Sequence, residues 1–334
     1  MRLLTNPLSL LPPETAHSVA LGFASTGLVP SAPADSPGLK RQLLGKTFRN
    51  PIGLSAGADK EAAALIGWEK MGFGFVEAGT VTPKERPGNP GPRIWRIGQD
   101  DSLVNWLGLP GRGMDYFLNN LRQYRARVEQ KLVVGVSIAA PDGGLADFSM
   151  LAAATAPLAD YLTLNASCPN VTHGEGDHDP AADMAAQVKA VTSAADGTPL
   201  LVKLGPTNDR DSFVHMVTRA LEAGAAGIVA TNTVPPDRTD LIPNADFVWP
   251  KHDGQAVGGY SGPLLLDIAC NMVAWARDAG GPEMPLMGVG GVQSGEDAKR
   301  LVDAGADVIQ LYTALTYQGP KVLRHIKHRL LADN

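Results

Sequence analysis

Six consecutive residues concentrate chemistry more than any other stretch: Asn165-Ala-Ser-Cys168-Pro-Asn170, directly after the apolar run Tyr161–Leu164. The run reads as a buried strand, and the hexapeptide as the turn that leaves its C-terminal end. Two carboxamides and one thiol share that turn. A carboxamide both donates and accepts hydrogen bonds, so a pair of them suits the edge of a flat polar heterocycle. A thiol can take a proton where its surroundings lower its pKa, which makes Cys168 a candidate general base. On these residues alone, a buried cysteine beside turn-forming Asn and Pro is an equal reading.

Other candidates occupy equivalent places. Ser55-Ala56-Gly57-Ala58-Asp59-Lys60 follows the run Ile52–Leu54. Its small side chains let a planar ring approach the backbone, and Lys60 could face an anionic ligand or simply start a solvated helix. Gly79-Thr80-Val81-Thr82-Pro83 follows Phe75–Ala78, and Thr80 either donates to a cofactor carbonyl or caps a turn. Val104–Pro110 reads as a loop that carries Asn105, and Asn232 follows Gly227–Ala230. Together with Asn165 and Asn170 these asparagines suggest a pocket lined for an amide-rich ring.

Lys203 lies inside the apolar run Leu200–Leu204. A charge there is expensive to bury unless it meets negative charge, which a reduced flavin or a barrel salt bridge would supply. Gly258-Gly-Tyr-Ser261-Gly262, Gly288-Val-Gly290-Gly291 and Tyr312-Thr313 have the makings of a phosphate cradle, since glycine clears the way to backbone N–H groups. No G-x-G-x-x-G follows the first strand, so a nicotinamide site is not indicated. His173, Glu175, Asp177 and His178 cluster, but their glycine spacing reads as a loop, and no metal site is expected.

The elements that must position these residues repeat along the chain. Eight short apolar runs recur: Ile52–Leu54, Phe75–Ala78, Leu132–Ile138, Tyr161–Leu164, Leu200–Leu204, Gly227–Ala230, Leu286–Val289 and Val308–Leu311. Continuous runs of this length suit strands covered on both faces. Helical spacing fills the intervals, as in Glu61–Met71, Asp183–Ala194, Asp211–Ala223, Leu264–Arg277 and Glu296–Ala304. Ala-Gly-Ala at 223–225 and 304–306 supplies a glycine stop between helix and strand. Alternation argues for a parallel α/β sheet, and eight repeats argue for a closed (β/α)8 TIM barrel over an open doubly wound sheet.

The 334 residues fit a barrel of about 250 plus an appendage. Residues 1–30 read as one or two short amphipathic helices, 31–38 as a linker, and Leu39–Leu43 with Lys46–Phe48 as a hairpin closing the barrel floor. The expected units are therefore a helical hood and linker over 1–38 and a barrel over 39–334. The first helices either pack on the barrel or touch a bilayer, although their basic face is thin, with Arg2 and His17 alone. A net charge of −5 without a basic run excludes a nucleic-acid surface of the usual kind. Two cysteines, Cys168 and Cys270, make no disulfide framework and point to a reducing interior. No apolar stretch reaches spanning length, and no secretory signal is expected.

The chain resembles the dihydroorotate dehydrogenases over nearly its whole length. The matching pieces are Asn50-Pro-Ile-Gly-Leu54, Ala56-Gly57 with Asp59-Lys60, Gly79–Pro83, Gly88-Asn-Pro with Pro92-Arg93, Asn165–Asn170, Ala230-Thr-Asn-Thr233, Gly259 with Ser261-Gly262, Gly288–Gly291 and Gln310–Ala314. Pro13-Glu-Thr-Ala-His17 and Gly79–Pro83 look like class 2, the membrane-associated members that pass electrons to quinone through an N-terminal hood. The resemblance implies FMN held by Ala56, Gly57, Thr80, Ser137, Asn165, Lys203, Thr231, Ser261, Gly262, Gly290, Gly291, Tyr312 and Thr313. It implies dihydroorotate or orotate held by Lys60, Asn105, Asn165, Asn170, Asn232 and Thr233, with Cys168 as the base and a quinone entering near Val19, Phe23, Arg96 and Tyr312. The location implied is the cytoplasmic face of a membrane, or the cytoplasm.

Three departures accompany the likeness. Cys168 stands where class 2 members carry serine, Asn105–Pro110 looks like class 1, and Ser137 replaces an FMN-contacting asparagine. The alternatives are a flavoenzyme of this fold with another dihydropyrimidine or a soluble acceptor such as fumarate, and a non-redox phosphate-binding barrel.

Overall fold

The computed structural model describes residues 7–97, 100–141, 144–166 and 179–332. Cys168, Asn170, Arg2 and the 173–178 cluster lie outside the described residues.

Eight parallel strands close into a barrel. In chain order they are Ile52–Leu54, Phe75–Val81, Val133–Ile138, Tyr161–Asn165, Leu200–Leu204, Gly227–Ala230, Leu286–Val289 and Val308–Leu311. Each pairs with its neighbour in sequence, and the eighth closes on the first through Ile309↔Ile52 and Leu311↔Leu54. Almost every strand residue is buried, because helices cover the outer face while side chains fill the inner one. Helices such as Pro180–Ala194, Arg210–Glu222 and Gly295–Asp303 start where the side chains of Asp179, Asp209 and Ser294 accept backbone N–H bonds. The glycine stops are real: Gly224 and Gly305 have φ of 107° and 117°.

The floor hairpin forms as expected, Arg41–Leu43 against Lys46–Phe48, with Leu44 and Gly45 both at positive φ. It drives Phe48 into the barrel, edge-on to Phe75 at 5.3 Å between centroids. Val133, Tyr161, Leu201, Val229, Met287 and Val308 complete that apolar plug.

Four expectations need correction. The first interstrand helix begins at Leu65, not Glu61. Ala62 turns at a positive φ of 52°, and the Asp59 carboxyl takes the N–H groups of Ala63 and Ala64, which holds 59–64 as a loop. The second strand continues to Val81, so Thr80 is a strand residue rather than a turn residue. Val104 and Asn105 are not in a loop but end the strand Ser102–Asn105, and the glycine-rich 258–262 piece contains the strand Gly259–Ser261. These two join Ile94–Ile97 in an antiparallel sheet outside the barrel. Ser102–Asn105 and Ile94–Ile97 are neighbours in sequence, but Asn105 and its partner Gly259 are more than 150 positions apart, beyond the reach of local periodicity.

The helix Pro13–Ser25 lies on the barrel's first interstrand helix, where Gly67 leaves room for the Ala24 carbonyl. Glu14 clamps it to the barrel by accepting three bonds from Arg93: the backbone N–H at 2.8 Å, Nε at 3.1 Å and Nη2 at 2.8 Å. The linker is fastened as well, because Asp35 pairs with Lys327 and Arg49 and accepts a bond from Asn50. Among the described residues no helix is long and apolar enough to cross a membrane.

Candidate active site

A cavity of about 600 Å³ opens at the C-terminal ends of the barrel strands, the end where such barrels do chemistry. Its size suits a cofactor or drug-sized ligand. Every described cofactor or substrate candidate except Ser137 is on its wall: Ala56, Gly57, Lys60, Thr80, Asn105, Asn165, Lys203, Thr231, Asn232, Thr233, Ser261, Gly262, Gly290, Gly291, Tyr312 and Thr313; of the quinone candidates Tyr312 lines it and Val19, Phe23 and Arg96 do not. Ser137 is fully buried behind it, where its hydroxyl meets that of Thr80 at 2.9 Å. Asn170 and Cys168 fall outside the described residues.

Backbone pairing holds these residues in place. The N–H of Gly57 donates to the Gly79 carbonyl at 2.7 Å, and that of Gly79 to the Asp59 carbonyl at 3.0 Å. The tops of the first two strands are thereby tied together beneath Lys60. Asp59 is wholly buried and takes the indole N–H of Trp68 besides two backbone donors. With its carboxyl so committed, the loop turns Lys60 to the cavity, where Nζ donates to the Gly57 carbonyl at 2.9 Å. Burial lowers the Lys60 pKa to about 8, against the opposing pull of Asp59. Thr231 donates from its N–H to Val289 at 2.7 Å and from its hydroxyl to Leu204 at 3.0 Å. Asn232 then reaches Asn165, Nδ2 to Oδ1, at 3.5 Å. Asn105 enters from the outer sheet and donates to the Gly259 carbonyl at 3.4 Å. The carboxamides predicted from separate segments thus converge on one chamber.

The opposite wall carries the residues expected to form a cradle. Thr313 Oγ1 lies 2.9 Å from Ser261 Oγ, and Gly290 and Gly291 face the same space. Gly291 has φ of 76°, and a Cβ there would lie 2.4 Å from the Leu266 N atom, so no other residue fits. Among the described residues the N–H groups of Gly290, Gly291 and Thr313 donate to no backbone carbonyl, which leaves three donors for a phosphate. Lys203, buried in its strand, presents its ammonium to the same chamber. This combination of an amide set, a buried lysine and glycine-rich strand ends fits a flavin that carries a phosphate.

The cavity also includes residues not singled out from sequence. Asn89 is tied to the Trp106 and Leu107 carbonyls, while Gln293 and Gln310 line the far side. Gln310 was visible as a polar residue inside an apolar run, the signal that marked Lys203. Trp106 packs on His252 with ring centroids 4.7 Å apart and the rings tilted by 43°. On the helix Pro13–Ser25, burial and then the charge of Lys60 lower the His17 pKa to about 4. It is therefore neutral at physiological pH and adds nothing to a basic face.

Fold and site together define a closed α/β barrel with a polar, glycine-rimmed pocket at the strand tops. The family model described as dihydroorotate dehydrogenase matches residues 38–333. The dihydroorotate dehydrogenase (quinone) of Clavibacter michiganensis subsp. michiganensis is 36% identical, covering 97% of this chain and 96% of that protein. The protein of the same name from Paraburkholderia phymatum is 34% identical over 93% of this chain and 91% of its own length. Among solved structures, ligand-free DHODH from Eimeria tenella is similar with a TM-score of 0.83 and 29% identity, covering 96% of this chain and 94% of that one. The chain belongs to the dihydroorotate dehydrogenase family.

Proposed function

We propose that this protein oxidises dihydroorotate to orotate in pyrimidine synthesis, using bound FMN and passing the electrons to a quinone. The observation that carries the reading is the convergence of Lys60, Asn105, Asn165 and Asn232 on a chamber whose other wall is the Gly290-Gly291 cradle. Family membership sets aside the non-redox barrel, and the names of the relatives support quinone over a soluble acceptor.

When bound, FMN supplies a hydride acceptor that can afterwards give up two electrons. Gly290, Gly291, Ser261, Gly262 and Thr313 would hold its phosphate, and Ala56, Gly57, Thr80 and Thr231 would line its ring. Lys203 would supply positive charge beside the ring. Lys60 would bind the substrate carboxylate, and the asparagines with Thr233 would bind and orient the pyrimidine edge. Cys168 accepts the C5 proton; a thiol starts nearer neutrality than serine and so needs less help to become a base.

The 1–38 segment acts as a hood over the barrel. Its large apolar side chains Leu10, Val19, Phe23 and Leu28 are exposed, which supports contact with a membrane surface and a quinone route past Val19, Phe23, Arg96 and Tyr312.

Anaerobic addition of dihydroorotate to the purified protein tests the reading. Yellow colour that bleaches with dihydroorotate and returns with a quinone is expected. A colourless protein that takes up no FMN, or colour that dihydroorotate leaves untouched, overturns it. Removal of residues 1–30 should abolish quinone turnover and leave bleaching intact; equal quinone rates refute the hood.

A further inference from the structure

Glu77 is a carboxyl group sealed inside the barrel. It belongs to Phe75–Val81, a strand buried along its whole length, and is 0% exposed. Its Oε2 accepts the Thr163 hydroxyl from the fourth strand and the Gln310 amide from the eighth, each at 2.9 Å. Its Oε1 has no hydrogen-bond partner among the described residues. Gln310 and Lys203 are on the cavity wall and Glu77 is not, so it stands behind that wall. A polar group sealed in this way is costly to bury unless something near it compensates.

Lys203 is the matching orphan. It is buried in the fifth strand, paired in register with Asn165 on one side and Val229 on the other. No described residue forms an ion pair with it within 4.0 Å. Burial lowers its pKa, and Glu77 is the charged group that opposes this. The Tyr161 hydroxyl is buried with no hydrogen-bond partner among the described residues; burial first, then Glu77 and Asp160, hold its pKa well above the ordinary value, so it remains a neutral phenol.

We propose that Glu77 is a positioning residue: it is the fixed counter-charge that keeps Lys203 protonated and on the cavity wall, so that the chamber favours an anionic ring. Its effect on the cofactor rests on the flavin reading; the charge pairing does not.

Glu77→Gln is nearly isosteric and keeps an oxygen for Thr163 and Gln310, so it removes charge with little change in packing. Thermal midpoints of wild type, Glu77→Gln, Lys203→Met and the double variant are compared, with and without added FMN. Each single variant is expected to melt lower, and the double variant to recover at least half of the summed loss, because no unpaired buried charge remains. Additive losses overturn the pairing. If Glu77→Gln yields no folded protein, a folded double variant supports the pairing and an equally unfolded one refutes it. The second readout is the ratio of affinities for two-electron-reduced and oxidised FMN. Glu77→Gln should cut this ratio by about tenfold, and should leave it unchanged on the Lys203→Met background. An equal ratio in wild type and Glu77→Gln refutes the effect on the ring. If wild type takes up no FMN, the flavin reading fails while the melting cycle still decides the pairing.

Discussion

The two ends of the barrel are built from the same eight strands and are opposite in character. At the floor, inward positions carry Phe75, Val133, Tyr161, Leu201, Val229 and Met287, and the hairpin residue Phe48 seals them. At the top, the chamber is lined by Thr80, Asn165, Lys203, Thr231 and Gln310, with glycines where the strands end. The floor is packed like a solid; the top is held open by backbone hydrogen bonds and small side chains. Stability and chemistry are therefore separated along the barrel axis, with Glu77 at the border between them. Changes at one end should be read by unfolding, and changes at the other by ligand and rate.

The sharpest contrast comes from the base and the plug. Cys168→Ala should slow flavin reduction by dihydroorotate roughly 10²–10⁴-fold, measured by stopped-flow bleaching. Cys168→Ser should move the rising limb of that rate to higher pH; an unchanged profile removes the thiol from the mechanism. Phe75→Ala should cost about 3–5 kcal/mol in denaturant unfolding, while the folded fraction still binds FMN as wild type does. Loss of cofactor with unchanged stability would erase the separation of the two ends.

A smaller effect tests the top alone. Lys60 attracts a carboxylate only when protonated, the form present below its pKa and lost as pH rises through about 8. Hence kcat/KM for dihydroorotate should show, beyond the rising limb of the base, a falling limb of about tenfold per unit above that pH. Lys60→Arg should abolish this limb, and a wild-type profile flat up to about pH 10 would rule the lysine out. The smallest effect is at the floor's rim, where half-exposed Lys46 meets Asp160 at 3.0 Å. Lys46→Ala should cost less than about 1 kcal/mol, because exposed pairs contribute little.

Particular residues show how far the chain could be read unaided. Asn165, Asn232, Lys60 and the Gly290-Gly291 pair were legible because each follows, or ends, an apolar run of strand length. Lys203 was legible as a charge in such a run. Glu77 carried the same signal in Phe75–Val81 and was passed over, since a strand's inward and outward residues look alike when both faces are buried. The loop at 59–64 was hidden because Asp59 outcompetes the helix for backbone donors, a choice its neighbours' spacing does not reveal. The outer sheet was hidden because Asn105 pairs with Gly259 across more than 150 residues.

The sequence by itself determined the alternation of strand and helix, the eightfold repeat and the family, because these depend on local burial patterns and on motifs read in order. Only the tertiary structure decided which side chains meet. Glu77 bonds to Thr163 and Gln310, 86 and 233 positions away, and stands behind the cavity wall because closure brings the second, fourth and eighth strands around one axis. A buried charge acts over distances set by that closure and not by spacing along the chain, so its partner could be found only in three dimensions.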